Sequence, residues 1–161
     1  MSCMCSCETA YQNRKVGIVS MAKFVMKDAT IIVNSVNLSD HCSSVDVTDT
    51  TDQIDVTTFG SSAYKQYLQG FHDATITATF FGDFAASSTY ATLQPLYVGG
   101  SIFSVEVRAT SAARSATNPA GTLAAATMYQ FNPIGGKVGE ASTFDVTFAN
   151  SGTAGLVWAT A

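Results

Sequence analysis

Residues 72–81, HDATITATFF, alternate with a period of two. Ala74, Ile76, Ala78 and Phe80 fall on one side; Thr75, Thr77, Thr79 and Phe81 fall on the other. Successive side chains of a strand point to opposite faces, so this run predicts a strand with one small apolar face and one threonine face. The same pattern recurs at 141–149, where Phe144, Val146 and Phe148 oppose Thr143, Asp145 and Thr147. At 101–109, Phe103, Val105 and Val107 oppose Ser104, Glu106 and Arg108. Residues 123–131 and 156–160 read as further strands, and 23–27, 30–33, 44–48 and 53–58 as short β-branched ones. Asn34-Ser35 marks a tight hairpin turn, and 132–137 a second turn region. Eight or nine strands joined by turns rich in Asp, Ser, Gly and Asn predict a mainly β fold, an antiparallel sandwich or barrel-like body.

One helix is predicted at about 87–98. Ser87 or Ser88 supplies the cap, Pro95 should kink or shorten the helix, and Gly99-Gly100 closes it. Tyr90, Leu93, Leu96 and Tyr97 form one apolar stripe, read as packing against the sheet.

Charge is scarce. Lys and Arg number 8 and Asp and Glu 12, giving a net charge of −4 and a charged fraction of 12%, about half that of an ordinary soluble domain. Small residues replace the missing charges: 17 Ser, 20 Thr and 22 Ala. The acidic balance argues against tight salt-driven binding of nucleic acid, which needs Lys and Arg to displace counterions. A surface poor in charge is easy to desolvate, which points to assembly. No apolar run is long enough to span a bilayer as a helix, and no membrane insertion is expected.

Chemistry is sparse as well. Asp40-His41 and His72-Asp73 are neighbours in sequence, but adjacent strand residues face opposite ways and do not make catalytic pairs. Nucleophile-elbow, zinc-protease and P-loop patterns are all missing. The reading is non-enzymatic, with no cofactor and no metal. Cys3, Cys5 and Cys7 lack the second ligand cluster that a zinc site needs. Residues 1–20 read as a flexible N-terminal extension or arm, and 21–161 as a single domain, because patterned sequence starts at Met21.

Two stretches stand out as candidate sites. FGSSAYKQYLQGF (59–71) reads as a long loop bearing Tyr64, Lys65, Tyr67 and Leu68, either a contact surface or a plug for the end of the sandwich. Asp46, Asp49, Asp52 and Asp55 fall on a predicted hairpin whose turn lies near 50–52. That hairpin is a solvated edge, a weak calcium site, or an acidic surface that faces DNA without gripping it.

From Met21 onward the chain resembles the tail tube (major tail) proteins of long-tailed bacteriophages, in particular those of actinobacteria. The stretches carrying the resemblance are AKFVMKDATIIVNSVNLSDHCSSV (22–45), DVTTFG (55–60), QGFHDATI (69–76), FFGDFAASSTYATLQPL (80–96) and TSAARSATNP (110–119). The resemblance implies a β-sandwich with a flanking helix. It also implies homohexameric rings stacked into a hollow tube, with inner sheets joined into a barrel and genomic DNA passing through during ejection. The implied partners are further copies, the tape measure, tail terminator and distal tail proteins, and DNA held transiently in the lumen. The implied place is the virion tail, after synthesis in the bacterial host cytoplasm. By the same resemblance Tyr64, Lys65, Tyr67 and Leu68 are candidates for contact between rings or subunits. Asp46, Asp49, Asp52 and Asp55 are candidates for a lumen or ring-contact hairpin. A capsid decoration or adhesin-like module, or a tail-terminator or connector ring, would share the composition.

Overall fold

The computed structural model describes residues 24–60 and 63–160. Residues 1–20, with Cys3, Cys5 and Cys7, lie outside that range. Eight strands form one continuous antiparallel sheet: β1 (Thr30–Val33), β2 (Val36–Asn37), β3 (Cys42–Asp55), β4 (Tyr67–Phe81), β5 (Phe103–Arg108), β6 (Ala120–Met128), β7 (Thr143–Asn150) and β8 (Leu156–Ala159). Their order is β2-β1-β5-β6-β7-β4-β3, with β8 also on β6.

The sheet folds into two layers at β6. Residues 120–123 of β6 pair with β8, whereas 126–128 pair with β7. β5 lines the other side of β6, with a register shift between Phe103 and Val105. A strand that changes partner halfway is how a sheet turns a corner. The inward faces of the two layers meet in one core: Ile31 and Val33 of β1, Ile76, Ala78 and Phe80 of β4, Val105, Leu123, and Val146 and Phe148 of β7. Phe103 and Phe148 meet edge to face across it, with ring centroids 5.9 Å apart. On β4, β5 and β7 these are the residues that alternation places inward. Burying each Val, Ile, Leu or Phe side chain among them contributes about 1.5–3 kcal/mol.

The Asn34-Ser35 turn closes β1 onto β2 with both residues at positive φ (48° and 68°), the backbone that a two-residue hairpin requires. The helix, α1 (Thr89–Val98), starts at Ser88. Ser88 Oγ does not cap it; the hydroxyl donates to the carbonyls of Asp83 and Ala85 and fixes the turn before the helix. Pro95 sits inside α1 without ending it. The helix stops at Gly99-Gly100, where Gly100 takes φ +56°. Of the predicted stripe only Leu93 is fully buried; Leu96 packs beside the core, and Tyr97 remains exposed.

Four predicted boundaries need correction. The strand read at 123–131 lies three residues earlier, at Ala120–Met128, which leaves Phe131 outside it. Residues 24–27 are not strand; they run irregularly into β1. The predicted hairpin at 46–55 does not exist: β3 runs unbroken from Cys42 to Asp55, with a bulge between Thr51 and Gln53 in place of a turn. β4 begins at Tyr67 instead of His72, so Tyr67 and Leu68 belong to a strand and the loop shrinks to 56–66. Both misreadings have one cause. Beyond Val47 on β3, and before Ala74 on β4, the strands leave the core, so no apolar periodicity marks them. Backbone pairing from Asp49↔Ala74 out to Asp55↔Tyr67, with a few polar side-chain contacts and no buried apolar face, holds them. Elsewhere, Gly121 lies beneath the ring of Trp158, which stands over it from the edge strand β8; a Cβ on Gly121 would come within 3.1 Å of that ring.

Candidate assembly surfaces

The outer ends of β3 and β4 form a two-stranded ribbon that projects beyond the two-layered body. It brings together the two candidate groups that the sequence kept apart. Residues 49–55 and 67–73 are its arms and 56–66 its tip. Large apolar side chains on it face water: Tyr64 is 82% exposed and Phe71 88%, and Ile54, Phe59, Tyr67 and Leu68 are exposed too. Register sorts them. Leu68 pairs with Ile54 on the face that continues the core side, while Tyr67 pairs with Asp55 on the outer face.

The root of the tip is pinned by the candidate residues themselves. Asp55 Oδ1 accepts the Thr57 amide at 2.9 Å, and Thr57 Oγ1 accepts the Gln66 amide at 3.0 Å. Val56 N–H donates to the Gln66 carbonyl at 2.9 Å. The hydroxyl and amide of Thr57 hold the Asp55 carboxyl below its usual range. Lys65 Nζ lies 3.8 Å from Asp55 Oδ2, an exposed pair that adds little stability but biases the tip. Asp52 occupies the bulge. There Gly70 permits close approach of the strands, since a Cβ on Gly70 would come within 2.9 Å of Asp52 Cβ.

Asp49 shares the core-side face with His72, 3.8 Å away at Nδ1. Thr51 Oγ1 approaches the same nitrogen at 3.1 Å. A relay needs the nucleophile and the carboxylate on different ring nitrogens, so these three are not a triad. His41 Nε2 lies 3.7 Å from Asp83 and 3.8 Å from Asp40. The half-buried Cys42 thiol donates to the Ser44 carbonyl at 3.2 Å, and burial pushes its pKa up, away from reactivity. Asp46, Asp49, Asp52 and Asp55 are strung along β3, and among the described residues no group of three or more His, Cys, Asp or Glu is arranged to hold a metal.

Asp46 belongs to a second surface, the outward face of β3, β4 and β7. Ser44, Asp46 and Thr48 lie beside Thr79, Thr77 and Thr75; on β7, Asp145 lies beside Thr79, Thr147 beside Thr77, and Thr143 beside Phe81. Hydroxyls knit the face together: Ser44 Oγ donates to Thr79 Oγ1 at 3.0 Å, Thr79 Oγ1 to Asp145 at 2.6 Å, and Thr77 meets Thr147 at 3.4 Å. These three strands contain no Lys or Arg and hold Asp46, Asp49, Asp52, Asp55, Asp73 and Asp145, six of the chain's twelve acids. Sequence reasoning placed Asp145 with Thr143 and Thr147 on the polar face of its strand but did not join that face to the acids of β3, and it left Asp73 out. It also missed Ile54 and Phe71 as exposed anchors, since no periodicity marks the ribbon. Among the described residues β3 pairs only with β4, and β8 only with β6, so both present open hydrogen-bonding edges.

No family model and no curated protein matches the sequence. Among solved structures, the chain is similar to one in the virion of a native gene transfer agent particle, with 16% identity, a TM-score of 0.65, and coverage of 84% of this chain and 98% of that one. It is also similar to a chain in the tail of an empty gene transfer agent particle solved with C6 symmetry, with 13% identity, a TM-score of 0.58, and coverage of 73% and 81%. At these identities the likeness establishes one thing, a fold shared with chains found in gene transfer agent particles.

Proposed function

We infer that the protein is a structural tail protein of a phage-like virion, which assembles into hexameric rings stacked as a tube for passage of the genome. The observation that carries this reading is the projecting ribbon, whose apolar tip has no place in a lone soluble domain. The shared fold with a chain of a C6-symmetric tail supports it. A 14-residue edge strand is an aggregation hazard unless a neighbour completes it. In a ring that completion is the purpose of the edge, and closed symmetry ends the growth.

Within this reading the hydroxyl and carboxylate face of β3, β4 and β7 lines the lumen. A surface with acids and no Lys or Arg offers DNA no counterion release and therefore no grip. Repulsion across a water layer keeps the passing polyanion mobile over about 8–10 Å at physiological salt. The ribbon reaches the adjacent ring, with Tyr64, Tyr67 and Leu68 as anchors and Asp55 and Lys65 setting the tip. Tape measure, terminator and distal tail proteins are the partners at the ends.

Negative-stain microscopy of the purified chain tests the assembly. Tubes or stacked rings are the expected result. Single rings that never stack would make it a connector or terminator, and isolated domains would make it a binding module. For the ribbon, Tyr64→Ala with Tyr67→Ala should leave the fold intact and stop stacking; unchanged tube length and yield would sink that assignment.

A further inference from the structure

A second exposed apolar surface lies at the opposite end of β4 from the ribbon. Phe81 ends the strand and is 42% exposed; Phe84 follows at 57%, and Ile134 of the β6–β7 connection is 82% exposed. Phe131 joins them to α1. Its ring centroid is 5.9 Å from that of Tyr97 and 6.2 Å from that of Tyr90, and Tyr90 lies 5.2 Å from Phe84. The backbone closes the group: Gly82 N–H donates to the Ser142 carbonyl at 2.8 Å, and Ser142 Oγ donates to the Gly135 carbonyl at 2.6 Å. The helix beside it, TYATLQPLYV, has no charged residue, although the outward side of a surface helix is ordinarily charged.

We propose that this surface, centred on Phe84, Tyr97, Phe131 and Ile134, is the socket that receives the ribbon tip of the next copy. The claim rests on the stacking role given to the ribbon above. The occupant follows from placement. Tip and socket are unlike surfaces of one chain, separated by the length of β4, roughly 47 Å at the usual rise per residue. A contact between unlike surfaces is heterologous and repeats head to tail. When such surfaces sit at opposite poles, the repeat runs along β4 and does not close on itself. The ribbon supplies Phe59 and Tyr64 from its tip and Leu68 and Phe71 from the adjoining arm as projecting side chains, and the socket supplies a broad aromatic bed. Each would otherwise remain in water.

A mixing experiment on the full-length chain tests this. The ribbon variant is Tyr64→Ala with Tyr67→Ala; the socket variant is Phe84→Ser with Ile134→Asp, both at exposed positions. Each alone should form rings that do not stack. An equal mixture should give paired rings and nothing longer, because one intact tip meets one intact socket. If the socket variant still forms full-length tubes while the ribbon variant does not, the socket is wrong and the stacking role of the ribbon stands. If neither variant shortens tubes, both fall. As a check independent of assembly defects, Tyr64→Cys with Ile134→Cys in assembled tubes should be joined between copies by a short bis-maleimide, well beyond either single variant. No excess cross-linking would overturn the proposal.

Discussion

Asp55 shows how much one carboxylate can organise at the root of a loop. It accepts the Thr57 amide, Thr57 in turn accepts the Gln66 amide, and the Asp55 carboxyl is held below its usual range by the Thr57 hydroxyl and amide. A carboxyl whose pKa is lower in the folded state stabilises that state above its unfolded pKa, near 3.8, and the contribution disappears as pH falls through the lower folded value. The Thr57 amide should therefore keep its protection from exchange down to about pH 3.8 and lose it below. In Asp55→Ala that amide should exchange fast at every pH, with the core amides unaffected. Amide exchange followed by NMR across this range reads both outcomes.

At the scale of elements, the ribbon separates what a sequence reveals from what it conceals. Alternation identifies a strand only where one face is buried. It therefore marks 74–80 of β4 and 144–148 of β7 within a residue or two, while the helix is legible from its leading serines and closing glycines. Alternation gives nothing for 49–52 and 67–71, where both faces meet water, and only β-branching marks 53–55 as strand. Gly70, inside the stretch read as a loop, is the residue that lets β4 pass the bulge at Asp52. Hence Tyr67 and Leu68 were assigned to a loop and Asp46 and Asp55 to a hairpin, although all four lie on one pair of strands. Gly70→Val puts a branched side chain against Asp52 Cβ and Ile54 Cδ1. It should cost about 1–3 kcal/mol of overpacking, confined to the ribbon. Faster amide exchange in the Gln53↔Gln69 region, with an unchanged near-ultraviolet spectrum, is the expected signature.

Across the whole molecule, charge is distributed by layer. The β3–β4–β7 layer carries half the acids and neither Lys nor Arg, while Arg108 pairs with Glu106 on β5 of the other layer, and Arg114 in the following loop also reaches Glu106. If the first layer lines a channel, reversing its sign should turn a slide into a brake. Asp46→Lys with Asp145→Lys should give assemblies that retain duplex DNA at low salt and release it as salt rises, whereas the parent retains none. Gel-shift titration over a series of ionic strengths measures this, and salt-independent retention by the parent would refute the lumen assignment.

Trp158 is the only indole in the chain, and it stands 56% exposed over Gly121 on the open edge of β8. A neighbour that completes that edge would take the ring out of water, and its emission would move to shorter wavelength. An assembly that leaves β8 bare would leave the emission where it is. The protein thus has a built-in optical gauge for the sealing of its β8 border, readable in a cuvette without any label.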